Sequence, residues 1–412
     1  MKILIVSATD LQGGAGRAAY RLHQSLLDKD IDSQMLVQTK NSDDFTVISK
    51  DKKSSKYLNQ LRPFIDSIPV RLYKNRVDAM FSISWLGFDG IVDRINEINP
   101  DIVHLHWIAG GMMRIEDISK IKAPLVWSLH DMWPFTGGCH YDQDCGLYKN
   151  KCGNCKVLNS PKENDLSRKV FKRKRGSYSK IQNMNIVATS KWIGICAKES
   201  SLFKDRQITL LPNPIDTGIF SPIDKTFARG YFDIPKDKTV ILFSAMRSIL
   251  DSRKGSKELF EAIDMLDLNN VVFVIAGSSK PEHPPKLKFP TFFIPPLLDE
   301  VSLPLIYNVA DVMIVPSIQE NLANSIIESL SCGIPVVAFD IGGNSDMIEH
   351  KKNGYLAKAI IPKDMANGIE WVLKNNESQN LSNNSRKKAL KDFDQRVVSK
   401  KYIDFYKNIL IK

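Results

Sequence analysis

Two glutamates with seven residues between them form the most specific chemical pattern in the second half of the chain. In the segment SIQENLANSIIESLSCGIP, Glu320 lies in a loop after an apolar strand, and Glu328 lies about two turns into the next helix. Asn324 and Ser325 could cap this helix, whose free N–H groups would face an anion. Glu328 has apolar neighbours, and a buried carboxylate needs a partner, for which a ribose diol is suitable. The alternative is that Glu328 is an ordinary surface residue of the helix.

Cations and small residues follow two strand candidates of the same half. Arg247, Arg253 and Lys254 come after one strand and before a helix, in the segment SAMRSILDSRKGS. Cations at such a position could neutralise a diphosphate. Gly277 and Ser278 end the other strand in a small-residue turn. Strand ends of this kind are where open α/β sheets bind ligands, so these residues are candidates for a ligand site.

A glycine-rich turn, GGAGRAA, comes directly after the first apolar strand and opens a helix. We predict a phosphate-binding site at Gly13 and Gly14, where backbone N–H groups would approach the phosphate. The turn also matches the dinucleotide fingerprint, which expects an acidic residue at the end of the second strand. That strand ends in VQT at residues 37–39, so a dehydrogenase is disfavoured. A tight turn that binds no ligand is the alternative.

Four of the six cysteines cluster in one loop of the first half, which contains a C-x-x-C pair. Four thiolates in a short loop suit tetrahedral zinc, and His140 could replace one of them. An iron–sulfur cluster and unliganded thiols are alternatives, whereas disulfides are disfavoured in a reducing cytoplasm. The predicted metal ligands are Cys139, Cys145, Cys152 and Cys155.

Short apolar segments rich in Val and Ile alternate with helical patterns along the whole chain. Such segments are buried on both faces, which is typical of parallel sheets in an α/β protein. The strand candidates are Ile3–Ser7, Gln34–Gln38, Ile102–Leu105, Leu125–Leu129, Ile186–Thr189, Val240–Ser244, Val271–Ala276, Val312–Val315 and Val336–Phe339.

The pattern starts again in the middle of the chain, near the proline-bearing segment LLPNPID. A length of 412 residues also fits two domains, and we place the boundary after residue 206. The segment Val397–Leu410 predicts an amphipathic helix. Its apolar face would hold Tyr402, Phe405, Tyr406 and Leu410.

The composition predicts an ordinary globular protein. Hydrophobic residues make up 43% of the chain and charged residues 25%, which excludes the disordered and fibrous classes. No stretch approaches the ~20 apolar residues that span a bilayer, and the N-terminus predicts a strand rather than a signal peptide. We therefore expect a soluble cytoplasmic protein. Peripheral attachment to the inner face of the cell membrane is compatible with this expectation.

A net charge of +11 includes a dense basic run from Lys169 to Lys180. An anionic membrane surface and phosphate-bearing ligands are partners that fit such a run, and a solvated helix face is the alternative. Nucleic acid is disfavoured as a partner, because no base-reading motif or aromatic platform accompanies the charges.

Taken together, these motifs resemble the family 4 retaining glycosyltransferases of the GT-B fold. The resemblance spans nearly the whole chain and is strongest from Leu210 to Leu356, which contains LLPNPID, RKG and both glutamates. The segment LHDMWPFTGGC at 129–139 further resembles the exopolysaccharide, colanic-acid-type branch. The resemblance implies two Rossmann-like domains that face a central cleft. These are an acceptor-binding domain at 1–206, a nucleotide-sugar-binding domain at 207–390, and a helix at 391–412 that crosses back to the first.

The resemblance also implies roles for the residues that match its motifs. Glu328 would hold the donor ribose, and Glu320 would lie against the donor sugar. Lys254, with Arg247 or Arg253, would neutralise the departing diphosphate. It also places Gly14, Asn321 and Leu322 near the donor. Gly13, Gly277, Ser278, Asn324 and Ser325, named above from their type and position, stay candidates for further donor contacts.

Three histidines are candidates for the reaction centre. By resemblance, His130 in LHD would face the donor sugar and the acceptor, where it would position groups rather than act as a nucleophile. His104 and His106, in VHLHW, are further candidates on residue type alone. Histidines at strand ends are more often satisfied structural groups, so both rank below His130.

The implied reaction is retaining transfer of a sugar from a GDP- or UDP-sugar to a glycan or polyprenyl-diphosphate-linked acceptor, in cell-surface polysaccharide biosynthesis. Cations and helix N–H groups would stabilise the leaving diphosphate, so no divalent metal is required. A D-x-D pattern at Asp142–Asp144 falls inside the cysteine loop, and a metal–donor role for it is disfavoured. The alternatives are an epimerase or a phosphorylase of the same fold, or a non-catalytic sugar- or nucleotide-binding protein.

Overall fold

The computed structural model describes residues 1–49, 53–87, 90–244, 252–282, 284–297 and 299–411. The chain forms two compact units, which are Met1–Pro212 with Ser399–Lys412 (unit 1) and Asn213–Val398 (unit 2). It therefore leaves unit 1 after Pro212 and returns to it after Val398, somewhat later in each case than the boundaries at 206 and 390 expected from the sequence.

Unit 1 is built on a seven-stranded parallel sheet with the order β3-β2-β1-β4-β5-β6-β7. Its strands are β1 (Lys2–Thr9), β2 (Asp32–Thr39), β3 (Val47–Ile48), β4 (Ile102–Leu105), β5 (Leu125–Leu129), β6 (Met184–Ala188) and β7 (Ile208–Leu210). Its helices before unit 2 are α1 (Gly13–Leu27), α2 (Lys53–Asp66), α3 (Ile68–Arg71), α4 (Ile91–Ile98), α5 (Leu166–Tyr178) and α6 (Lys191–Glu199).

Unit 2 is built on a six-stranded parallel sheet with the order β10-β9-β8-β11-β12-β13. Its strands are β8 (Thr239–Ser244), β9 (Val271–Ala276), β10 (Thr291–Ile294), β11 (Val312–Val315), β12 (Val336–Phe339) and β13 (Gly354–Ala357). Its helices are α7 (Lys225–Tyr231), α8 (Ser256–Asp264), α9 (Ser302–Asn308), α10 (Asn324–Ser331), α11 (Asn344–Met347), α12 (Pro362–Asn375) and α13 (Leu381–Asp392). Among the described residues, no helix combines the length and the apolar character needed to cross a membrane.

The last helix, α14 (Gln395–Ile411), carries the chain back into unit 1, as predicted. Tyr402, Phe405 and Tyr406 are buried, also as predicted. Leu410 is 43% exposed, however, and Ile409 is buried in its place. The predicted apolar face is wrong at this position, because the helical period places Ile409, two turns after Tyr402, towards the core.

The predicted fold class, two parallel α/β sheets of Rossmann-like topology, is confirmed. In both sheets the strand order reverses beside the first strand of the unit, between β1 and β4 in unit 1 and between β8 and β11 in unit 2. Open α/β sheets bind ligands outside the carboxyl ends of their strands at this reversal. These two strand ends are therefore where a functional site is expected in each unit.

Candidate active site

An ion pair between Lys254 and Glu320 lies at the carboxyl end of β11 in unit 2. Nζ of Lys254 is 2.7 Å from Oε2 of Glu320, and the two side chains are 24% and 12% exposed. The backbone N–H of Asn321 donates to the other carboxylate oxygen at 3.2 Å. The fold thus joins two predicted site residues that are far apart in the sequence.

Two glycines allow the loop that carries Glu320 to pack closely against its neighbours. Gly255 has φ +68°, and a Cβ there would lie 1.9 Å from the carbonyl oxygen of Pro316. Gly342 has φ +52°, and a Cβ there would lie 1.7 Å from the carbonyl oxygen of Glu320. Neither position has room for a side chain, and both conformations favour glycine. The loop is therefore held on two sides by backbone contacts.

Glu328 lies inside unit 2 with 4% of its surface exposed, so the surface-residue alternative is wrong. The hydroxyl of Tyr307 donates to Oε2 of Glu328 at 2.5 Å. Tyr307 also shares a hydrogen bond with Ser244, the last residue of β8. Burial, and then the Glu328 carboxylate, raise the pKa of Tyr307 well above its ordinary value, so the phenol stays a donor. Tyr307 is thus one partner of this buried carboxylate, and sequence reasoning missed it.

The start of α10 differs from the expectation. The N-cap residue is Ala323, and it makes no side-chain cap hydrogen bond. Asn324 and Ser325 lie inside the first turn, so the prediction that they cap the helix is wrong. Oδ1 of Asn324 instead accepts a hydrogen bond at 3.0 Å from Nδ2 of Asn213, in the LLPNPID segment.

The structure describes only one of the two arginines that were predicted to act with Lys254. The carbonyl oxygen of Arg253 accepts a hydrogen bond from the Ile318 N–H at 2.8 Å, which puts Arg253 beside the Glu320 loop. Arg247 lies outside the described residues. The choice between the two arginines as a diphosphate ligand therefore stays a prediction.

The remaining predicted donor contacts of unit 2 lie on loops at the carboxyl ends of strands. Gly277 follows β9 with φ +91°, and its N–H donates to the Ile294 carbonyl at 3.0 Å. Ser278, next to it, is half-buried. Asn321 and Leu322 are buried in the loop before α10.

In unit 1, the glycine-rich turn after β1 opens α1 as predicted. Gly13 is the first residue of the helix and has φ +72°, with no atom within 4 Å of the place that a Cβ would occupy. Gly14 follows in the same turn, and a Cβ at Gly16 would lie 2.5 Å from Oγ1 of Thr9. Glycine is therefore needed for conformation at one position and for packing at another, and the phosphate role stays a prediction.

The same turn contains a buried carboxylate that sequence reasoning missed. Asp10 accepts hydrogen bonds at 2.8–3.0 Å from the backbone N–H groups of Leu11, Asn41 and Ser42 and from the Asn41 side chain. Burial acts to raise the pKa of Asp10, but these hydrogen bonds hold it below its ordinary value. An ionised Asp10 therefore ties the turn after β1 to the segment after β2.

His130 lies at the end of β5 and is half-buried. Its Nε2 is 2.8 Å from Nδ1 of His106, which follows β4. Burial lowers the pKa of His130 to about 4, and burial also holds the pKa of His106 well below its ordinary value. Both imidazoles are therefore neutral near neutral pH.

Asp131 is the centre of a second hydrogen-bond network at the same strand end. It accepts from Nδ1 of His140 at 2.7 Å, from Nε1 of Trp107 at 3.1 Å and from the Trp133 N–H at 2.8 Å. Nε2 of His140 is 2.9 Å from Oγ of Ser82. Both nitrogens of His140 thus have hydrogen-bond partners, and its replacement of a cysteine as a metal ligand stays a prediction.

His104 behaves as a satisfied structural histidine. Its Nδ1 is 2.7 Å from the hydroxyl of Tyr406 on α14, and its Nε2 is 2.8 Å from Oγ of Ser128. It is fully buried, and burial lowers its pKa to about 3. This arrangement fits the lower rank given to His104 as a catalytic candidate.

The four clustered cysteines are described as free thiols. Cys139, Cys152 and Cys155 are buried and Cys145 is half-buried. Burial raises the pKa of Cys152 to about 12 and that of Cys155 to about 11. Within the part of the chain that the structure describes, no group of three or more His, Cys, Asp or Glu side chains is placed to hold a metal ion. The zinc ligand set is therefore not assembled here, and the zinc site stays a prediction.

Models of known glycosyltransferase families match the sequences of both units. The family model of Glycosyltransferase Family 4 matches residues 12–218. The model of Glycosyl transferases group 1 matches residues 224–388. The two matches follow each other along the chain. The first begins after β1 and includes the other six strands of the unit 1 sheet, and the second includes the whole sheet of unit 2.

Three similar proteins illustrate the range of relatives. An uncharacterized glycosyltransferase of Methanocaldococcus jannaschii is 22% identical over 76% of this chain and 86% of its own length. An N,N'-diacetylbacillosaminyl-diphospho-undecaprenol alpha-1,3-N-acetylgalactosaminyltransferase of Campylobacter jejuni is 27% identical over 42% of this chain and 46% of its own length. A D-inositol 3-phosphate glycosyltransferase of a Nocardioides species is 28% identical over 39% of this chain and 40% of its own length. The chain matches less than half the length of the last two proteins.

Solved structures share the fold over the whole chain. Sucrose-phosphate synthase from Thermosynechococcus elongatus has a TM-score of 0.68 at 16% identity and covers 100% of both chains. Anabaena HepE, in complex with UDP-glucose, has a TM-score of 0.65 at 15% identity over 99% of this chain and 100% of its own. WaaG, involved in lipopolysaccharide biosynthesis, has a TM-score of 0.63 at 13% identity over 98% of this chain and 99% of its own. At these identities the likeness shows the fold alone.

Proposed function

Because the chain belongs to glycosyltransferase family 4, and is thus a hexosyl-transferring enzyme, we propose that it moves a sugar from a nucleotide diphosphate donor with retention of anomeric configuration. The observation that carries this proposal is the half-buried Lys254–Glu320 pair at the carboxyl end of β11. That strand end borders the reversal of strand order, and the buried Glu328 lies on the helix that follows.

The donor would be held by three elements of unit 2. Glu328, which Tyr307 and α10 hold in place, would accept from the ribose hydroxyls. The first turn of α10, whose N-cap provides no side-chain acceptor, would offer N–H groups to the diphosphate. Lys254, with Arg253 or Arg247, would neutralise the charge that builds on the leaving oxygens, so the proposal includes no divalent metal.

The transfer step would take place on one face of the donor sugar. The bond from the anomeric carbon to the diphosphate oxygen breaks, and that oxygen keeps the electron pair. The acceptor oxygen bonds to the same face, and its proton passes to the leaving phosphate. Glu320 would lie against the sugar while it holds Lys254, and a neutral His130 would orient hydroxyl groups rather than form a covalent bond.

The donor base and the acceptor are proposed from the relatives. HepE is solved with UDP and with UDP-glucose, which supports a UDP-sugar, with a GDP-sugar as the other candidate. The Campylobacter relative is named for a diphospho-undecaprenol-linked acceptor, which supports a lipid-linked glycan. The segment 129–139 resembles exopolysaccharide enzymes, and we therefore propose a place in cell-surface polysaccharide synthesis.

A screen of donor binding tests this proposal. GDP-, UDP- and dTDP-sugars are compared by thermal shift on the native chain, on Glu328→Gln and on the control Glu261→Gln, an exposed residue of α8. We expect one nucleotide class to raise the melting temperature of the native chain and the control, with a weaker effect in Glu328→Gln. The anomeric configuration of a transfer product is then read by NMR. If no nucleotide class stabilises the chain, or if the product is inverted, the proposal is wrong.

We also propose a peripheral membrane contact, at a different surface from the basic run. Within that run, Lys174 is fully buried and donates to the carbonyl oxygens of Trp133 and Thr136. Arg173 pairs with Glu116 at 2.6 Å. The run is therefore partly internal, although Lys169, Lys172 and Arg175 of α5 are exposed.

Exposed apolar side chains on α2, on α3 and at the residue after α3 fit a membrane surface better. Leu61, Phe64, Ile68 and Leu72 follow one another at helical spacing and are 54%, 52%, 45% and 78% exposed. Isolated exposed apolar residues are ordinary, whereas a contiguous patch indicates a contact surface, and we propose that these four side chains form one such patch. The neighbouring cations Arg71, Lys74 and Arg76 are exposed, which suits anionic lipid headgroups.

Binding to lipid vesicles tests which of the two surfaces contacts the membrane. We expect Leu61→Ser with Leu72→Ser to lower binding to phosphatidylglycerol vesicles by about tenfold, because apolar insertion is lost. The control, Lys169→Ser with Lys172→Ser on α5, should bind nearly as the native chain does. The reverse result would return the contact to the basic run, and equal binding of all three proteins to neutral vesicles would exclude an anionic lipid partner.

A further inference from the structure

The hydrogen bond between His106 and His130 joins the carboxyl ends of β4 and β5 in unit 1. The two ring planes are 26° apart, and Nδ1 of His106 is 2.8 Å from Nε2 of His130. His106 is 4% exposed, whereas His130 is half-buried. His130 therefore reaches the surface at the strand ends, and His106 lies behind it.

The other ring nitrogen of His106 is in an unusual position. Nε2 is buried and has no hydrogen-bond partner among the described residues. His104, two residues earlier, has a partner for each of its nitrogens. The same strand end thus carries one histidine that is satisfied at both nitrogens and one that is satisfied at a single nitrogen.

The number of N–H protons on the two rings limits the direction of the hydrogen bond between His106 and His130. Burial lowers the pKa of both residues, so each neutral ring carries one N–H. If His130 donated through Nε2, the proton of His106 would have to lie on its own Nε2, as a buried N–H without an acceptor. Orphaned N–H groups are rarer in proteins than unused acceptors. The favoured arrangement has His106 donate from Nδ1 to Nε2 of His130.

We propose that His106 is a positioning residue that fixes His130 in its Nδ1–H form, so that His130 presents a hydrogen-bond donor to the reacting sugars. This inference rests on the proposed function. Asp131 accepts from three other donors, and the hydrogen-bond partner of His130 is His106, which thus supplies the orientation that a carboxylate supplies in other sites.

The chemistry of the site follows from this form. An Nδ1–H group can donate to a sugar or acceptor oxygen, but it cannot take a proton from the acceptor hydroxyl. The proton released by the acceptor must then leave by another route, which agrees with its transfer to the leaving phosphate. His130 would thus stabilise the geometry of the transition state without changing its own protonation.

Nitrogen NMR of the histidine side chains reads the tautomer directly. The native chain is labelled with ¹⁵N-histidine, and the His130 signals are assigned by their loss in His130→Gln. We expect the pattern of an Nδ1–H imidazole for His130 in the native chain. An Nε2–H pattern overturns the proposal.

Two substitutions of His106 and one matched control extend the test. His106→Asn keeps an amide donor near the position of Nδ1, whereas His106→Leu removes it. We expect the leucine variant to lose the single tautomer and to lower kcat by about ten- to a hundredfold with little change in the KM for donor, the scale found when a group that orients a functional histidine is removed. The asparagine variant should restore most of kcat and the Nδ1–H pattern. His104→Asn, at the satisfied position, should leave the His130 signals unchanged.

The outcomes separate this inference from the proposed function. The NMR result does not need turnover, so an inactive native chain with an Nδ1–H His130 would contradict the proposed function and support the tautomer. An active chain whose His130 signals and kcat are unchanged in a folded His106→Leu variant would contradict the role of His106 alone.

Discussion

The ammonium of Lys254 is a candidate cation of the proposed donor site. Its contact with Glu320 keeps it at the end of β11, near the first turn of α10. Two groups of opposite charge at this distance hold each other in a fixed geometry, so a leaving diphosphate would meet a cation that is already oriented.

Replacing this lysine should affect turnover more than folding. We expect Lys254→Ala to lower kcat by about 10²–10³-fold, because the charge of the leaving group loses its main stabilising partner. Lys257→Ala, an exposed lysine of α8, is the matched control and should keep native kcat. Steady-state kinetics with the preferred donor measure both. A kcat for Lys254→Ala within about twofold of the native value would remove Lys254 from the site.

The residues that sequence reasoning found and those that it missed differ in kind. Glu320, Glu328 and Lys254 could be named from the sequence because their types and spacing suit the proposed chemistry, and the fold pairs Lys254 with Glu320. Tyr307 and Asp10 were missed, because each acts through a partner that only the folded chain brings near. A tyrosine inside a helix and an aspartate after a strand have no spacing that distinguishes them from ordinary core and turn residues.

At the scale of secondary-structure elements, close backbone contacts at Gly255 and Gly342 decide the position of the Glu320 loop. We expect Gly255→Ala and Gly342→Ala each to lower the free energy of unfolding by about 1–3 kcal/mol, because a Cβ there would overlap a carbonyl oxygen and the backbone would be strained. Urea denaturation measures the change, and donor binding should weaken in parallel.

A glycine of α5 provides the control for these substitutions. Gly176 is exposed, and no atom lies within 4 Å of the place that its Cβ would occupy. Gly176→Ala should raise the free energy of unfolding by about 0.4–1 kcal/mol, because alanine loses less conformational entropy on folding. If alanine is tolerated equally at all three positions, the close contacts do not constrain the loop.

A comparison of the predicted with the observed strands shows which strands the hydrophobic pattern of the sequence can identify. All nine predicted strands are present, whereas β3, β7, β10 and β13 were missed. Each of these four lies at the edge of its sheet. A central strand of a parallel sheet must be apolar on both faces and is therefore conspicuous, but an edge strand is short and partly exposed, so its sequence resembles a loop.

At the scale of the whole molecule, buried histidines make unit 1 sensitive to acid. Burial lowers the pKa of His23 to about 4 and that of His104 to about 3. As the pH falls below the ordinary histidine pKa, the unfolded chain binds protons that these folded residues do not bind. The free energy of unfolding of unit 1 therefore falls by up to about 1.4 kcal/mol per pH unit for each residue, until the folded pKa is reached.

Tryptophan fluorescence can follow this loss in unit 1, because Trp371 is the one tryptophan of the sequence in unit 2. In a Trp371→Phe background, urea midpoints at about pH 7.5 and about pH 5 should differ clearly. His23→Gln should reduce the difference, because one of the buried histidines with a lowered pKa is gone. Midpoints that do not depend on pH would mean that these histidines have the same pKa in the folded and the unfolded state. That result would contradict the prediction.

The last helix also determines when unit 1 can finish folding during translation. The hydroxyl that caps His104 belongs to Tyr406, and the ribosome makes it only after the whole of unit 2 has been synthesised. At about 5–20 residues per second, the nascent first unit waits for tens of seconds with this part of its core uncovered. During that interval it is a natural client for chaperones, and a premature stop codon before α14 would leave it in that state permanently.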